Sequence, residues 1–292
     1  VKVLIAGADG QLGRALRASV PPDIEVTALT RAELDITDAT AVRETARETA
    51  PDWIINAAAY TAVDRAEAEP DLAFAINADG PRHLATAAQA QGVRLVQVST
   101  DFVFDGQCSR PYRPDDATAP LGVYGASKLA GEVAVRERLG ADALIVRTAW
   151  VYAPLGNNFV RTMLRLMRER DQLGVVDDQV GTPTCASGLA VAIWSMIGVG
   201  LGGTHHWTDA GVASWYDFAL AIRDEAFALG LLDRTIPIRP ITTAEYPTPA
   251  QRPPYSVLDK HETWTALGGA APHWREALHE VLRETAAARA AE

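Results

Sequence analysis

Tyr124 and Lys128 form a YxxxK pair in the run PLGVYGASKLAGE (120–132). On a helix, residues four apart share one face, so the phenol and the ammonium can reach one pocket. A free tyrosine titrates near about 10 and is a poor proton shuttle at neutral pH. A nearby ammonium favours the phenolate and lowers that value. On this reading Tyr124 gives a proton to a developing alkoxide during carbonyl reduction. Thr100 stands in the run Ser99–Thr100–Asp101, where an apolar segment ends. Ligands of open α/β sheets bind outside the C-terminal strand ends. The Thr100 hydroxyl is therefore expected to hydrogen-bond a substrate carbonyl.

A reduction of this kind needs a hydride source, and the N-terminus offers a place for one. Gly7, Gly10 and Gly13 form GADGQLG directly after the first apolar run and open the first helical pattern. Small residues let a backbone approach a pyrophosphate, and a helix N-terminus supplies free N–H groups and a positive dipole end. The spacing is GxxGxxG rather than GxGxxG. After the second apolar run comes Arg31. An acidic residue at this point would bind the ribose 2′-hydroxyl of NAD, whereas a basic one accommodates the 2′-phosphate of NADP. Arg31 favours NADPH, with NADH as the alternative. Asp35, in LDITD (34–38), is expected to accept a hydrogen bond from the adenine amino group.

These groups must be carried by alternating elements. Residues 1–6, 25–29, 53–58, 94–99 and 144–148 read as strands, and 13–20, 39–49, 71–91 and 123–139 as helices, with Gly92 stopping the third. Such alternation predicts βαβ units and a mostly parallel sheet, covered on both faces. After Trp150 the pattern loosens. Helical stretches follow at 158–170, 188–197, 215–229 and 272–287, with Pro-rich segments at 237–240 and 247–254 and an Ala-rich tail expected to fray. The expected fold is α/β: a Rossmann-like doubly wound parallel sheet with a smaller, interleaved α/β substrate-binding lobe. Residues 1–150, with a returning segment near 186–215, make the dinucleotide domain; 151–185 and 216–292 make the lobe.

Length and composition agree. The chain has 292 residues, 48 % apolar and 22 % charged, as expected of one globular domain with a second lobe. Lys plus Arg number 27 against 37 Asp plus Glu, a net charge of −10, which argues against a nucleic-acid partner. Two cysteines, Cys108 and Cys185, build neither a disulfide framework nor a zinc site, and the six histidines show no HExxH pairing. The adjacent His205 and His206 suit opposite faces of a strand. No signal-peptide pattern is visible at the N-terminus, so a reducing cytoplasm is expected. The longest uncharged stretch, 187–204, is too short and too glycine-rich at its end to span a membrane; a buried helix is expected there.

The motifs together resemble one family. GADGQLG (7–13), NAAAYTAVDRAE (56–67), STDFVFDG (99–106), PLGVYGASKLAGE (120–132), RTAWVY (147–152), DDQVGTPT (177–184) and RPPYSVLD (252–259) are similar to those of dTDP-4-dehydrorhamnose reductases, which are extended short-chain dehydrogenase/reductases. The resemblance implies NADPH-dependent reduction of the C4 ketone of a dTDP-4-keto-6-deoxysugar. It implies Tyr124 as proton donor, Lys128 on the nicotinamide ribose, and Thr100 in place of the usual serine. Gly10, Gln11 and Leu12 would meet the pyrophosphate, and Asp35 and Ile36 the adenosine end. Ala58, Ala59, Tyr60 and Val98 would line the cofactor path, with Thr61 beside them on the substrate side. Thr100, Asp101 and Trp150 would contact the sugar nucleotide. The resemblance also brings magnesium-dependent homodimers, but no carboxylate set here can be named as ligands, so no metal site is assigned.

Phe102 is a departure, since the family commonly carries Tyr after Thr-Asp. It bears on which sugar is reduced, and a 4-ketoreductase for another dTDP-deoxysugar of natural-product biosynthesis is the nearest alternative. A related 4,6-dehydratase would need Glu where Phe102 stands. A non-catalytic NADP-binding regulatory subunit is the alternative from another class; the intact Thr100, Tyr124 and Lys128 set speaks against it.

Overall fold

The computed structural model describes residues 1–290. Residues 291–292, the end of the expected lobe and tail, lie outside the described residues. In chain order the first elements are β1 (Lys2–Ala6), α1 (Gln11–Ala18), β2 (Glu25–Leu29), α2 (Ala39–Thr49), β3 (Trp53–Asn56), α3 (Val63–Ala66), α4 (Pro70–Phe74), α5 (Gly80–Gln91), β4 (Arg94–Thr100), α6 (Val123–Leu139) and β5 (Ala143–Thr148). Then follow β6 (Val151–Tyr152), α7 (Phe159–Glu169), β7 (Leu173–Val176), β8 (Val180–Gly181), β9 (Thr184–Cys185) and α8 (Ala186–Gly198). The last are β10 (Gly203–His206), β11 (Ala213–Ser214), α9 (Trp215–Ala228), β12 (Ile238–Ile241), α10 (His261–Leu267) and α11 (Trp274–Ala290).

Six strands form one parallel sheet in the order β10-β5-β4-β3-β1-β2. The period of two along β1 decides its packing: Val3 and Ile5 face α1 and α8, and Leu4 and Ala6 face α2, α5 and α6. Both faces are covered, so the fold is a doubly wound, Rossmann-like α/β sheet. The strand order reverses between β1 and β3, and a crevice at that switch point is the expected ligand seat. In β10, His205 and His206 do point to opposite faces: His205 meets Thr263 of α10, and buried His206 packs on Phe104.

The uncharged stretch after Ser187 is mostly the buried helix α8, and no helix among the described residues is long and apolar enough to cross a membrane. A second core gathers Val160, Met163 and Met167 of α7, Phe218 and Ile222 of α9, and Leu278 and Leu282 of α11. The α11 helix runs through the Ala-rich segment to Ala290.

One expected helix is interrupted. The stretch read as a single helix over 71–91 is α4 and α5 joined by a π-helical turn, Ala75–Asp79. A π turn inserts one residue without breaking the rod, so apolar periodicity does not reveal it. Gly92 stops the helix as expected, in the left-handed region at φ +67°.

Candidate active site

The dinucleotide end is set by close approach. Gly7 has φ +87°, and a Cβ there would lie 2.6 Å from the Ala58 nitrogen. A Cβ on Gly13 would lie 2.1 Å from the Gly7 carbonyl oxygen. These two positions let the turn after β1 fold flat against the loop after β3, at the switch point. Gly10 precedes α1 without any side-chain cap, so the first N–H groups of the helix, at Gln11 and Leu12, face outward for an anion. This is a cradle that fits a dinucleotide pyrophosphate. Gln11 also accepts a hydrogen bond of 2.8 Å from Asn158, the N-cap of α7.

After β2, Arg31 is 71 % exposed, and its Nε lies 4.0 Å from Asp35 Oδ2. Asp35 Oδ1 accepts from Thr37 N and Oγ1, which hold its carboxyl below the usual range. Ile36 is buried, with its side chain pressed on Gly80 in the core, which leaves its main chain as the part that could meet a ligand. Ala58, Ala59 and Tyr60 are half-buried along the loop leaving β3, and Thr61 is exposed beside them.

The catalytic candidates come from β4 and α6. Thr100 ends β4, buried; its Oγ1 donates to Asp101 Oδ1 at 3.0 Å and accepts from Phe102 N at 3.2 Å. Tyr124 lies in the first turn of α6 and Lys128 one turn later. Lys128 is buried, and its Nζ donates to the Val98 carbonyl at 2.7 Å, tying α6 to β4. Two glycines let α6 sit this close. A Cβ on Gly125 would lie 2.2 Å from the Phe102 carbonyl oxygen, and one on Gly131 2.1 Å from that of Asn77.

The electrostatics correct one expectation. Tyr124 is not made more acidic by Lys128. Burial pushes the phenol up to about 12; a hydrogen bond with Thr100 opposes the shift and the Asp101 charge adds to it. Burial also brings Lys128 down to about 8, opposed by Glu132. The i, i+4 spacing is present, but the ammonium is spent on Val98. Asp101 is buried as well, and burial raises its carboxyl to about 6, with the Ser256 and Thr100 hydroxyls opposing the shift. Phe102 sets its ring edge-on to Tyr124, with centroids 5.6 Å apart.

Two positioning residues escaped sequence reasoning. Glu67 Oε1 accepts from Val123 N at 2.8 Å, capping the helix of Tyr124 and Lys128 from 56 residues away. A Glu67→Ala variant should lose about 1 kcal/mol of stability, read by denaturant unfolding, and should lower kcat through the loosened first turn. Asn77, in the π turn, accepts from Tyr60 N and donates to Tyr60 O and Ser127 Oγ. It locks the loop leaving β3 to α6. An amide in a helical stretch was the available signal for Asn77; Glu67 had none.

Trp150 follows β5 with φ +49°, a conformation rare for a bulky residue. Its indole stacks on Trp215 with centroids 3.5 Å apart and planes 7° apart. Trp215 in turn lines a cleft of about 630 Å³ with Phe159, Met163, Val175, Gln179 and Arg252. Arg252 pairs with Asp64 at 2.8 and 3.0 Å, closing the cleft against the loop that carries Thr61. Among the described residues no group of three His, Cys, Asp or Glu side chains could hold a metal ion.

Comparison with known proteins decides the family. The profile described as "RmlD substrate binding domain" matches residues 1–287. A dTDP-4-dehydrorhamnose reductase of Streptomyces griseus is 46 % identical over 95 % of this chain and 91 % of its own. The chain belongs to the dTDP-4-dehydrorhamnose reductase family. A crystal structure of the reductase from Bacillus anthracis, in complex with NADP, superposes with a TM-score of 0.91 at 40 % identity, covering 97 % of this chain and 99 % of that one. The Clostridium acetobutylicum family member gives 0.90 at 43 % identity, covering 97 % and 98 %.

Proposed function

We propose that this chain reduces the C4 ketone of dTDP-4-dehydrorhamnose with NADPH, giving dTDP-L-rhamnose. The observation that carries the reading is that Tyr124 and Lys128 of α6 are both set against the end of β4, Tyr124 by Thr100 and Lys128 on the Val98 carbonyl, in a chain of this family. NADPH supplies a hydride to the carbonyl carbon. Tyr124 gives its phenolic proton to the carbonyl oxygen, so the ketone becomes a secondary alcohol and the phenol a phenolate. Thr100 donates a hydrogen bond to that oxygen as charge grows on it. Lys128 holds the nicotinamide ribose from α6. The N–H groups at Gln11 and Leu12 take the pyrophosphate, and Arg31 takes the 2′-phosphate. Residues 1–150 with the returning segment near 186–215 serve the cofactor; 151–185 and 216–292 serve the sugar nucleotide. Trp150 packs on the apolar face of the deoxysugar, and the cleft beyond Trp215 takes the nucleotide. This reading places the reaction in the cytoplasm, where Cys108 and Cys185 stay free thiols.

The test is NADPH oxidation, followed by absorbance, with a panel of dTDP-4-keto-6-deoxyhexoses and NMR of the product. Silence across the panel would sink the enzyme reading. Arg31→Ala should weaken NADPH by at least about tenfold and leave NADH nearly unaffected; equal losses would remove Arg31 from the site. The profile of kcat/KM against pH reports the free enzyme. Lys128 carries its charge below about 8 and loses it above. The expected profile falls as pH rises through about 8, and a plateau continuing to pH 10 would contradict the role of the ammonium.

A further inference from the structure

We propose that Asp209 is a positioning residue for the sugar-binding wall, holding Trp150 against Trp215 through strand β9. The proposal rests on the reading of Trp150 as a sugar contact. Asp209 follows β10, is fully buried, and takes no part in the steps above. Its Oδ2 accepts from Cys185 N at 3.0 Å, across 24 residues of chain. Cys185 is half of β9, whose two residues pair with Val151 and Tyr152 of β6. The neighbouring Thr184 N donates to the Trp150 carbonyl at 3.2 Å. Asp209 thus fixes a strand that is bonded to the Trp150 carbonyl and paired with the two residues that follow it.

That grip has work to do. A tryptophan at φ +49° is held there only if its surroundings over-determine it. One constraint is Gly181, where a Cβ would lie 2.7 Å from the Trp150 ring. Another is the stack on Trp215. The third is the main-chain bond from Thr184, which depends on where β9 lies. Burying a carboxylate is costly unless it is bonded and balanced. Here one oxygen has the Cys185 N–H, Lys260 faces the charge, and the start of α8 adds its dipole. The other oxygen, Oδ1, has no partner. Placing a carboxylate here costs stability, and what it secures is the location of β9.

The experiment compares Asp209→Ala, Asp209→Ser and Asp209→Asn in the full chain. Two indoles stacked in parallel give an exciton couplet in circular dichroism, which a Trp215→Phe variant assigns. Alanine cannot reach Cys185 and serine falls short, whereas asparagine keeps the acceptor. The alanine and serine variants should lose the couplet. Their KM for the sugar nucleotide should rise roughly three- to tenfold, with NADPH affinity and kcat much less changed. Asp209→Asn should keep both properties. The proposal is overturned if a folded alanine or serine variant retains the couplet and KM, if the asparagine variant loses them, or if neither the alanine nor the serine variant folds. A wild-type chain that reduces no dTDP-4-keto sugar, yet whose couplet depends on Asp209, would sink the functional reading and support the positioning role.

Discussion

A Tyr124→Phe variant should reduce the sugar nucleotide with kcat lowered by about 10²- to 10⁴-fold, while binding NADPH as the wild type does. The substitution removes one oxygen and keeps the ring that meets Phe102 edge-on, so packing is conserved and the loss reads as chemistry. The expected size follows from the state of the phenol. Burial holds its pKa near about 12, so at neutral pH the hydroxyl is always protonated and ready to give. Such a phenol is a weaker acid than free tyrosine, but an alkoxide is a stronger base than the phenolate it leaves, and transfer stays downhill. Stopped-flow of the first turnover separates this step from product release. If Tyr124→Phe keeps wild-type turnover, the proton comes from elsewhere. Asp101, buried and with a carboxyl near about 6, is then the group to test.

What the sequence discloses and what it hides follow from the range of the forces. The limits of β2, α2 and α6 are readable to the residue because periodicity and neighbouring stop signals act within a few positions. The glycine turn is readable for the same reason: Gly7, Gly10 and Gly13 follow a strand and open a helix. The π turn at 75–79 is hidden, since the chain stays helical through it and residue types alone do not separate a π turn from an α turn. Glu67 and Asn77 are hidden because they act across 56 and 50 residues on a helix that their own segment does not announce. The most instructive failure concerns Lys128. Spacing puts it on the face of Tyr124, but only the fold shows its Nζ bonded to Val98 and its charge lowered by burial. Ile36 shows the same limit, since only packing reveals that its side chain lies against Gly80.

A Glu132→Ala variant should lose about 3–5 kcal/mol of stability, with a melting temperature lower by on the order of 10 °C. Glu132 and Arg147 are 0 % and 3 % exposed, with Nε and Nη2 of the guanidinium 2.9 and 2.8 Å from the two carboxylate oxygens. Arg147 also donates to the Pro114 carbonyl and lies over the Phe104 ring. Removing the acid strands a buried cation that cannot shed its proton. The pair joins α6 to β5, and Glu132 is one turn beyond Lys128, whose charged form it favours. Its removal should therefore move the alkaline limb of kcat/KM below about 8, because the lysine loses its proton more easily. These two consequences can be separated. Replacing both partners with methionine removes the stranded charge, so stability should return close to that of the wild type. The same double variant still lacks the carboxylate beside Lys128, so its alkaline limb should stay shifted. A double variant that recovered both properties would show that Glu132 acts on the lysine only by holding the helix in place. A shifted limb in a stable protein would make the pair both a tie between α6 and the sheet and the counter-charge for the ammonium that the reaction uses.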